Sequence, residues 1–409
     1  MLHPLARNSK GADMSNLPRK HLFDLPDGMI YLDGNSLGPL PKGVSEAVQK
    51  TVEAEWGGQL IGGWNACKWM EQPSRVGDQV GRLIGAPAGS VVMGDTLSIK
   101  VFQALAAGLQ MRPDRKVILS DTGNFPSDLY MAQGLARFKD QGIELRMVDP
   151  EDVAGAIGED IAVVMLTEVD YRTGRRHDMA AITKAAQEAG AVMVWDLAHS
   201  AGALDVEIEA SGCEIAVGCT YKYLNGGPGA PAFIYVRPDL VETVEPALAG
   251  WLGHDAPFAF DLDYRPGAGI ERMRVGTPPV LQLAALEEAL KVWDGVTMKE
   301  VRAASIHLSE LFISEIEARC PMMSLVSPRH GAVRGSQVSF AFENGYAAMQ
   351  AVIARGVIGD FRAPNVMRFG FTPLFLDDGD IIRAAEIIED VMVNKLWDTP
   401  EYHARKAVT

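Results

Sequence analysis

Short apolar runs alternate with amphipathic stretches through the middle of the chain, and this alternation constrains the fold more than any other feature. The apolar runs begin at Val91 and continue at 117–119, 145–148, 161–166, 192–195, 215–217 and 232–236. Apolar residues at helical spacing fill the stretches 98–108, 128–139, 152–157 and 179–189. Strands that alternate with helices form a mostly parallel sheet covered on both faces. The sequence therefore predicts an α/β domain.

The segments outside this region predict further helices and a second sheet. Pro41 favours the first turn of a helix that reaches Glu55. A long irregular segment occupies 251–277, and strong helical patterns follow it at 278–294 and 296–319. The tail alternates strands at 324–326, 336–342 and 367–369 with helices at 346–355 and 379–395. Such a mixture is typical of a small α+β domain.

These patterns divide the chain into three parts. We expect a leader and arm over residues 1–40, of which the first fourteen or so form a loose leader. A large α/β domain is expected over 41–295, and a small C-terminal domain over 296–409.

Charge and cysteine content exclude several classes of protein. The 38 Lys and Arg against 53 Asp and Glu give a formal net charge of −15, which argues against a nucleic-acid surface or an anionic membrane. The four cysteines are scattered without a C-x-x-C pair, so neither a zinc site nor a disulfide framework is indicated. No stretch approaches the roughly 18 apolar residues of a membrane span, and the amino terminus lacks a signal-peptide core. We therefore expect a cytoplasmic protein without nucleic-acid or membrane partners.

Polar side chains follow two of the predicted buried strands. The run at 191–194 ends on Trp195 and Asp196, and His199 comes shortly afterwards. The run at 215–219 leads into Tyr221 and Lys222, before a glycine-rich turn at 225–229. In an open α/β sheet, ligands collect outside the carboxyl ends of the strands, so these side chains can face one bound molecule.

The chemistry of these side chains suits pyridoxal phosphate. A lysine amine such as Lys222 forms a Schiff base with an aldehyde. A carboxylate such as Asp196 keeps a pyridine nitrogen protonated, which makes the ring an electron sink. The alternative is that Asp196 caps the following helix, Lys222 is solvated and the glycines form an ordinary turn. The combination favours the cofactor site, because a lone lysine between two tyrosines before a glycine-rich turn is an unusual end for a core strand.

The segments WDLAHSAGAL (195–204) and CTYKYLNGGPG (219–229) resemble kynureninase, a pyridoxal-phosphate-dependent family of fold type I, the aspartate aminotransferase fold. The resemblance extends from Tyr31 to about Leu376. It implies hydrolysis of L-kynurenine or 3-hydroxykynurenine to anthranilate or 3-hydroxyanthranilate and L-alanine, with Lys222 as the Schiff-base lysine. The preference between the two substrates remains open.

The segment at 95–98 opens a predicted helix, whose free amides favour a phosphate, although a simple helix cap is the alternative. The resemblance implies that Leu97 and Ser98 donate to the cofactor phosphate. The sequence departs from the family pattern at Lys100, where kynureninases carry asparagine. The charge of Lys100 either assists the phosphate or points away from it.

The walls of the predicted cofactor site come from three strand ends. Phe125 follows the strand at 117–119 and can stack on the pyridine ring, with Asp128 as a supporting group. The resemblance places Thr167 beside the ring and His199 within the site. It assigns Tyr221 a hydrogen bond to the phosphate and a part in proton transfer.

The remaining assignments also come from the resemblance. It implies that Trp251 and Thr277 reach the phosphate of the neighbouring subunit's site, so the protein is expected to be a homodimer with shared active sites. The domain at 41–295 is then the cofactor-binding domain, with a dimer-facing loop. Arg368 matches the arginine that binds the substrate α-carboxylate, a task suited to the guanidinium fork. Ser36 and Trp64 are expected to border the aromatic end of the substrate.

Two other functions remain open. The first is another fold type I enzyme, such as a class V aminotransferase or a cysteine desulfurase. A desulfurase needs a nucleophilic cysteine on a mobile loop late in the chain, whereas the last cysteine is Cys320 in a helix-end context. The second is a binding or regulatory protein that keeps the fold without turnover, which would predict loss of Lys222 or Arg368.

Overall fold

The computed structural model describes residues 17–405 of the chain. The expected loose leader lies outside these residues. The strands of the described part are β1 (Phe23–Asp24), β2 (Ile30–Tyr31), β3 (Leu40–Pro41), β4 (Val91–Met93), β5 (Val117–Asp121), β6 (Glu144–Val148), β7 (Ile161–Thr167), β8 (Val192–Asp196), β9 (Ile215–Gly218), β10 (Phe233–Val236), β11 (Ser324–Leu325), β12 (Gln337–Ala341), β13 (Val357–Ile358), β14 (Asp360–Arg362) and β15 (Val366–Gly370).

Helices separate most of these strands. They are α1 (Val44–Lys50), α2 (Gly63–Ala66), α3 (Gln72–Ile84), α4 (Leu97–Met111), α5 (Pro126–Lys139), α6 (Val153–Ala156), α7 (Met179–Glu188), α8 (Pro238–Val241), α9 (Val280–Ala289), α10 (Met298–Arg319), α11 (Gly345–Ile353), α12 (Asp378–Val393) and α13 (Pro400–His403). The irregular segment predicted at 251–277 contains only short 3-10 turns.

A seven-stranded sheet organises the first part of the fold, in the order β4-β10-β9-β8-β7-β5-β6. Only β10 runs antiparallel to its neighbours, so the predicted mostly parallel sheet is confirmed. Every residue of β7 and β8 is buried, as expected of strands covered on both faces. The register pairs Thr167 with Asp196 and Asp196 with Val217, which brings the carboxyl ends of β7, β8 and β9 level.

A smaller antiparallel sheet, β11-β12-β15-β14, lies in the C-terminal part. The long helix α10 packs with β12, and α12 packs with α10. The short strand β2 joins this part, because Ile30 pairs with Val357 of β13. The N-terminal segment therefore contacts the last third of the chain. The division at 1–40, 41–295 and 296–409 stays a prediction.

The expected helix start at Pro41 is wrong. Pro41 belongs to β3, where it pairs with Phe23, and α1 begins at Val44. Gly43 precedes the helix with a φ of 88°, a conformation that glycine adopts without strain. The helix then continues through a π-helical stretch, Thr51–Gly57. A proline ahead of a helix thus ended a strand instead of opening the helix.

Two further observations concern residues 17–405 as a whole. No helix in this range combines the length and the apolar character that a bilayer crossing requires. The described part also holds no cluster of His, Cys, Asp and Glu side chains arranged to bind a metal ion. Cys67, Cys213, Cys219 and Cys320 are all free.

Candidate active site

Lys222 lies just beyond the carboxyl end of β9, and its Nζ is 2.9 Å from Nε2 of His199. The turn that carries it is closely packed, because Gly38 N donates to the carbonyl of Tyr221. A Cβ on Gly38 would come within 2.4 Å of the Lys222 carbonyl oxygen, so only glycine fits there. The GNSLG turn at 34–38 is therefore held directly against the lysine turn.

His199 is buried, and burial together with the nearby Lys222 charge holds the pKa of its imidazole well below the usual value. A neutral imidazole accepts a hydrogen bond from the Lys222 ammonium through Nε2 and carries its own proton on Nδ1. That Nδ1 is buried and has no partner within the described residues. The site thus presents a free hydrogen-bond donor next to the lysine.

Two buried carboxyl groups meet at the end of β8. Asp128, in the first turn of α5, shares a hydrogen bond with Asp196. Burial and then the Asp196 charge raise the pKa of Asp128 well above its usual value, so Asp128 holds the proton. Burial raises the pKa of Asp196 to about 6, against the opposing effect of Lys222 and the amide of Ala198. The pair therefore has one negative charge, and one buried Asp128 oxygen has no partner among residues 17–405.

Two helix N-termini converge on one side of this site. Thr96 precedes α4 without capping it by its side chain, so the structure does not support the simple helix-cap alternative. Ser98 Oγ lies 3.1 Å from Oγ of Ser127, which occupies the first turn of α5. The amides at the start of α4, with the two hydroxyl groups beside them, are suited to an anion. The start of α5 offers fewer amides, because Pro126 has no amide hydrogen and the Asp128 amide donates to the Phe125 carbonyl. Sequence reasoning missed Ser127, although a hydroxyl in the first turn of the helix that follows β5 was an available signal.

Phe125 and Thr167 occupy positions near the same strand ends. The Phe125 ring is 43% exposed and contacts the ring of Tyr171 edge to face, with centroids 5.2 Å apart. Lys222 Nζ lies 6.0 Å from the Phe125 centroid. The Thr167 hydroxyl donates to the backbone carbonyl of Val169 at 3.2 Å. Phe125 therefore has a free face beside the lysine, while Thr167 is held against its own chain.

Arg368 is buried in β15 and bound on several sides. Its Nε donates to Asp360 Oδ1 at 2.6 Å, and Nη2 donates both to Asp360 Oδ2 and to Ser36 Oγ. Nη1 donates to the carbonyl of Tyr171. Ser36 in turn donates to Asp360 at 2.7 Å. Of the five guanidinium hydrogens, this leaves one on Nη1 for a further acceptor.

Asp360 belongs to a wider group of buried charges that sequence reasoning missed. Arg362 also pairs with Asp360, at 2.9 Å. Burial, with the Asp360 charge next, raises the pKa of nearby Asp33 to about 7. These residues lie on a turn and on the three-residue strand β14, neither of which has a periodic pattern. Only the tertiary fold brings them to Arg368.

Trp64, Trp251 and Thr277 lie in other surroundings. The ring of Trp64 in α2 packs edge to face on Trp69, with centroids 5.8 Å apart. Trp251 is 40% exposed and packs in the same way on Phe258. Thr277 is exposed and lines a small cleft with Asp95 and other residues around the start of α4. The predicted roles of these three residues stay predictions.

Comparisons with known proteins identify the family of the chain. A family model described as the kynureninase C-terminal domain matches residues 301–388. A kynureninase of Pseudomonas fluorescens is 46% identical over 405 residues, which covers 97% of each chain. A kynureninase of Burkholderia pseudomallei (strain 1106a) is 46% identical over 399 residues and 96% of each chain.

Solved structures resemble the fold at much lower identity. A cysteine desulfurase from Thermococcus onnurineus NA1 has a TM-score of 0.76 and 19% identity, covering 92% of this chain and 98% of its own. The cysteine desulfurase CsdA from Escherichia coli has a TM-score of 0.77 and 17% identity, again covering 92% and 98%. These likenesses confirm the predicted fold type I architecture. Because relatives 46% identical over nearly the full length are kynureninases, the chain belongs to the kynureninase family.

Proposed function

We propose that the protein hydrolyses L-kynurenine, or its 3-hydroxy form, to anthranilate or 3-hydroxyanthranilate and L-alanine. Pyridoxal phosphate would be bound through Lys222. The observation that carries the proposal is the arrangement of Lys222 and His199 beside the buried Asp196–Asp128 pair, at level strand ends. Membership of the kynureninase family supports it.

The residues present fit the cofactor. A buried carboxyl pair with one negative charge is suited to a protonated pyridine nitrogen, because each charge offsets the desolvation of the other. The unpartnered Nδ1 of His199 and oxygen of Asp128 have unused hydrogen-bonding capacity. The start of α4, with Ser98 and Ser127 beside it, is suited to the phosphate. When bound, the coenzyme withdraws electrons from the α-carbon of an amino acid joined to it.

The chain's own residues supply the proton transfers. The anionic Asp196 would hold a proton on the ring nitrogen of the bound coenzyme, and Asp128 stabilises the Asp196 charge by donating its own hydrogen. The Lys222 amine would serve as the base that removes the α-proton of the substrate. Burial raises the pKa of the Tyr221 hydroxyl, so it keeps its proton and serves as a donor. Its ring lies 5.7 Å from Lys222 Nζ, close enough to act on the same substrate.

Binding of the substrate carboxylate is assigned to Arg368. The remaining Nη1 hydrogen is available to a substrate carboxylate. For the carboxylate to accept a second hydrogen bond, from Nη2, the bond from Nη2 to Ser36 or to Asp360 must break. Arg362 can keep Asp360 neutralised during such an exchange. Substrate binding and rearrangement of this charge group are therefore expected to occur together.

Changing Arg368 to lysine tests this assignment. The ammonium keeps the charge but loses the planar fork, so we expect KM for kynurenine to rise on the order of tenfold to a hundredfold, with a smaller change in kcat. Steady-state kinetics with anthranilate fluorescence measures both constants. Arg355→Lys, at a partly exposed position just beyond the end of α11, serves as the matched control. An unchanged KM in Arg368→Lys would remove Arg368 from substrate binding.

We also propose that the protein is a homodimer with shared active sites. The segment after Trp251 exposes large apolar side chains that a partner would cover, including Phe258 at 63% and Leu262 at 102% exposure. Thr277, expected to reach the neighbouring site, follows on the same irregular segment. Such a dimer would complete each phosphate site with residues of the other chain.

Changing Phe258 to aspartate is expected to shift the dimer towards monomer and to weaken cofactor binding at least about tenfold, because a charge is placed in an apolar contact. Light scattering coupled to size exclusion gives the mass relative to the 44.2 kDa chain. Phe138→Asp, at an 81% exposed position of α5, is the control and should remain dimeric. A monomeric wild-type protein that binds the cofactor tightly would contradict the proposal.

The test of the overall function is an assay of purified protein with both kynurenines in the absence of an acceptor. Fluorescent product with an equal amount of alanine is expected. An aminotransferase would instead need a keto-acid acceptor. A desulfurase is disfavoured by Cys320, which is fully buried and whose thiol pKa burial raises to about 11. Pure protein that binds coenzyme yet releases neither product would sink the proposal.

A further inference from the structure

Lys100 is the one lysine among the largest fully buried side chains of the described residues, and it lies in the second turn of α4. Burial lowers the pKa of its ammonium to about 8, although the nearby Asp95 acts in the opposite direction. A charged amine without solvent is costly unless it is paired and hydrogen-bonded. The contacts of Lys100 therefore indicate what its charge stabilises.

The ammonium of Lys100 joins the turn at 95–98, which belongs to the predicted phosphate site, to the segment at 273–277, whose Thr277 is expected at the neighbouring subunit's phosphate. It lies 3.6 Å from a carboxylate oxygen of Asp95, on the turn that leads into α4. It also donates to the carbonyl of Met273 at 3.3 Å and to Gln103 Oε1 at 3.0 Å. Gln103 donates in turn to the same Met273 carbonyl at 3.1 Å. The lysine thus connects the turn at 95–98 with the segment at 273–277.

The contact between Lys100 and Asp95 affects how an anion would bind at the start of α4. Asp95 precedes Leu97 by two positions, so its carboxylate lies at the start of α4, where Leu97 and Ser98 would bind the phosphate. An unpaired carboxylate there would repel a phosphate and compete for the same positive end of the helix. The backbone of Asp95 has a φ of 56°, which asparagine also tolerates.

The second segment carries Thr277. Lys100, Asp95 and Thr277 line one small cleft, in which Arg274 adds another buried cation. Arg274 has one guanidinium nitrogen without a partner within the described residues. Arg274 itself pairs with Glu271 at 2.7 Å, so this part of the molecule balances two buried cations against two carboxylates, and the charge of Asp95 is offset by Lys100.

We propose that Lys100 is a positioning residue of the phosphate site, which neutralises Asp95 and fastens the 273–277 segment to the turn at 95–98. The inference rests on the proposed function, because it takes the start of α4 as the place of the coenzyme phosphate. Lys100 acts through Asp95 and Met273 and does not itself touch the phosphate.

The test compares cofactor-free Lys100→Gln, Asp95→Asn and the double variant with the wild-type protein. Equilibrium dialysis measures the Kd of pyridoxal phosphate and, separately, of pyridoxal, which lacks the phosphate. Lys100→Gln should weaken binding of pyridoxal phosphate about tenfold, because it exposes the phosphate to the unneutralised Asp95. Binding of pyridoxal should not change. The double variant should return to within about twofold of the wild type, because the repulsive charge is removed.

The outcomes separate this inference from its alternatives. An equal loss for both ligands, or no recovery in the double variant, would show a merely structural lysine and overturn the proposal. If Lys100→Gln does not fold, Asp95→Asn alone decides: pyridoxal phosphate should bind about threefold tighter, with pyridoxal unchanged. Unchanged or weaker binding in Asp95→Asn would overturn the inference. Failure of the wild-type protein to bind pyridoxal phosphate at all would instead remove the proposed function.

Discussion

Changing Lys222 to alanine is expected to lower kcat for kynurenine hydrolysis by at least about a thousandfold, the largest effect of any single substitution in this chain. The variant loses the amine that holds the coenzyme and the base that removes the α-proton. Both roles depend on the same nitrogen, which lies at the end of β9 and 2.9 Å from His199. Within residues 17–405, no other lysine amine forms a hydrogen bond with His199.

Two measurements check this prediction. Steady-state fluorescence of anthranilate gives the rate, and absorption spectroscopy should show that the visible band of lysine-bound coenzyme is absent from Lys222→Ala. Lys299→Ala, at an exposed position in α10, should leave both signals unchanged. Wild-type turnover in Lys222→Ala would show that the catalytic amine lies elsewhere.

The placement of Lys222 and Asp196 at neighbouring strand ends could be predicted from the sequence, because it depends on local patterns. Apolar runs located the buried strands, and the level register of β7, β8 and β9 places their carboxyl ends at one edge. Residues that directly follow such runs must then lie near each other. The predicted sheet and fold class followed from the same signals.

Other features of the site depend on contacts that no local pattern encodes. Asp360 lies on a three-residue strand, and its pairing with Arg368 comes from the register of β14 against β15. Ser36 reaches the same pair from a turn more than three hundred residues away in the chain. The helix start at Val44 was missed because Pro41 is compatible with either a strand or a first helical turn. Short elements and long-range charge pairs are therefore the parts that sequence reasoning could not supply.

Changing Asp196 to asparagine is expected to lower kcat by about a hundredfold to a thousandfold, a range typical for loss of a buried electrostatic partner. An amide cannot keep the ring nitrogen protonated, so the electron-withdrawing power of the coenzyme falls. Asp128→Asn is the matched control, because its amide can still donate to Asp196. We expect it to retain at least about a tenth of the wild-type rate. Similar losses in the two variants would contradict the assignment of the charge to Asp196.

In the cofactor-free protein, the same carboxyl pair is expected to lower stability, so removing one of its groups should stabilise the fold. The pKa values of both groups are raised in the folded state, to about 6 for Asp196, so the unfolded chain releases these protons more readily. The pair therefore costs stability as the pH rises above about 4, the usual carboxyl pKa, and the cost grows until the folded groups ionise. Asp128→Asn removes one of the two groups. The free energy of unfolding of the variant minus that of the wild-type protein should therefore be larger at pH 8 than at pH 4, by about 1 kcal/mol or more. Urea unfolding of both cofactor-free proteins at the two pH values measures this difference. A difference that does not depend on pH would mean that the two carboxyl groups do not share a proton, and the charge balance proposed for the coenzyme ring would then lose its basis.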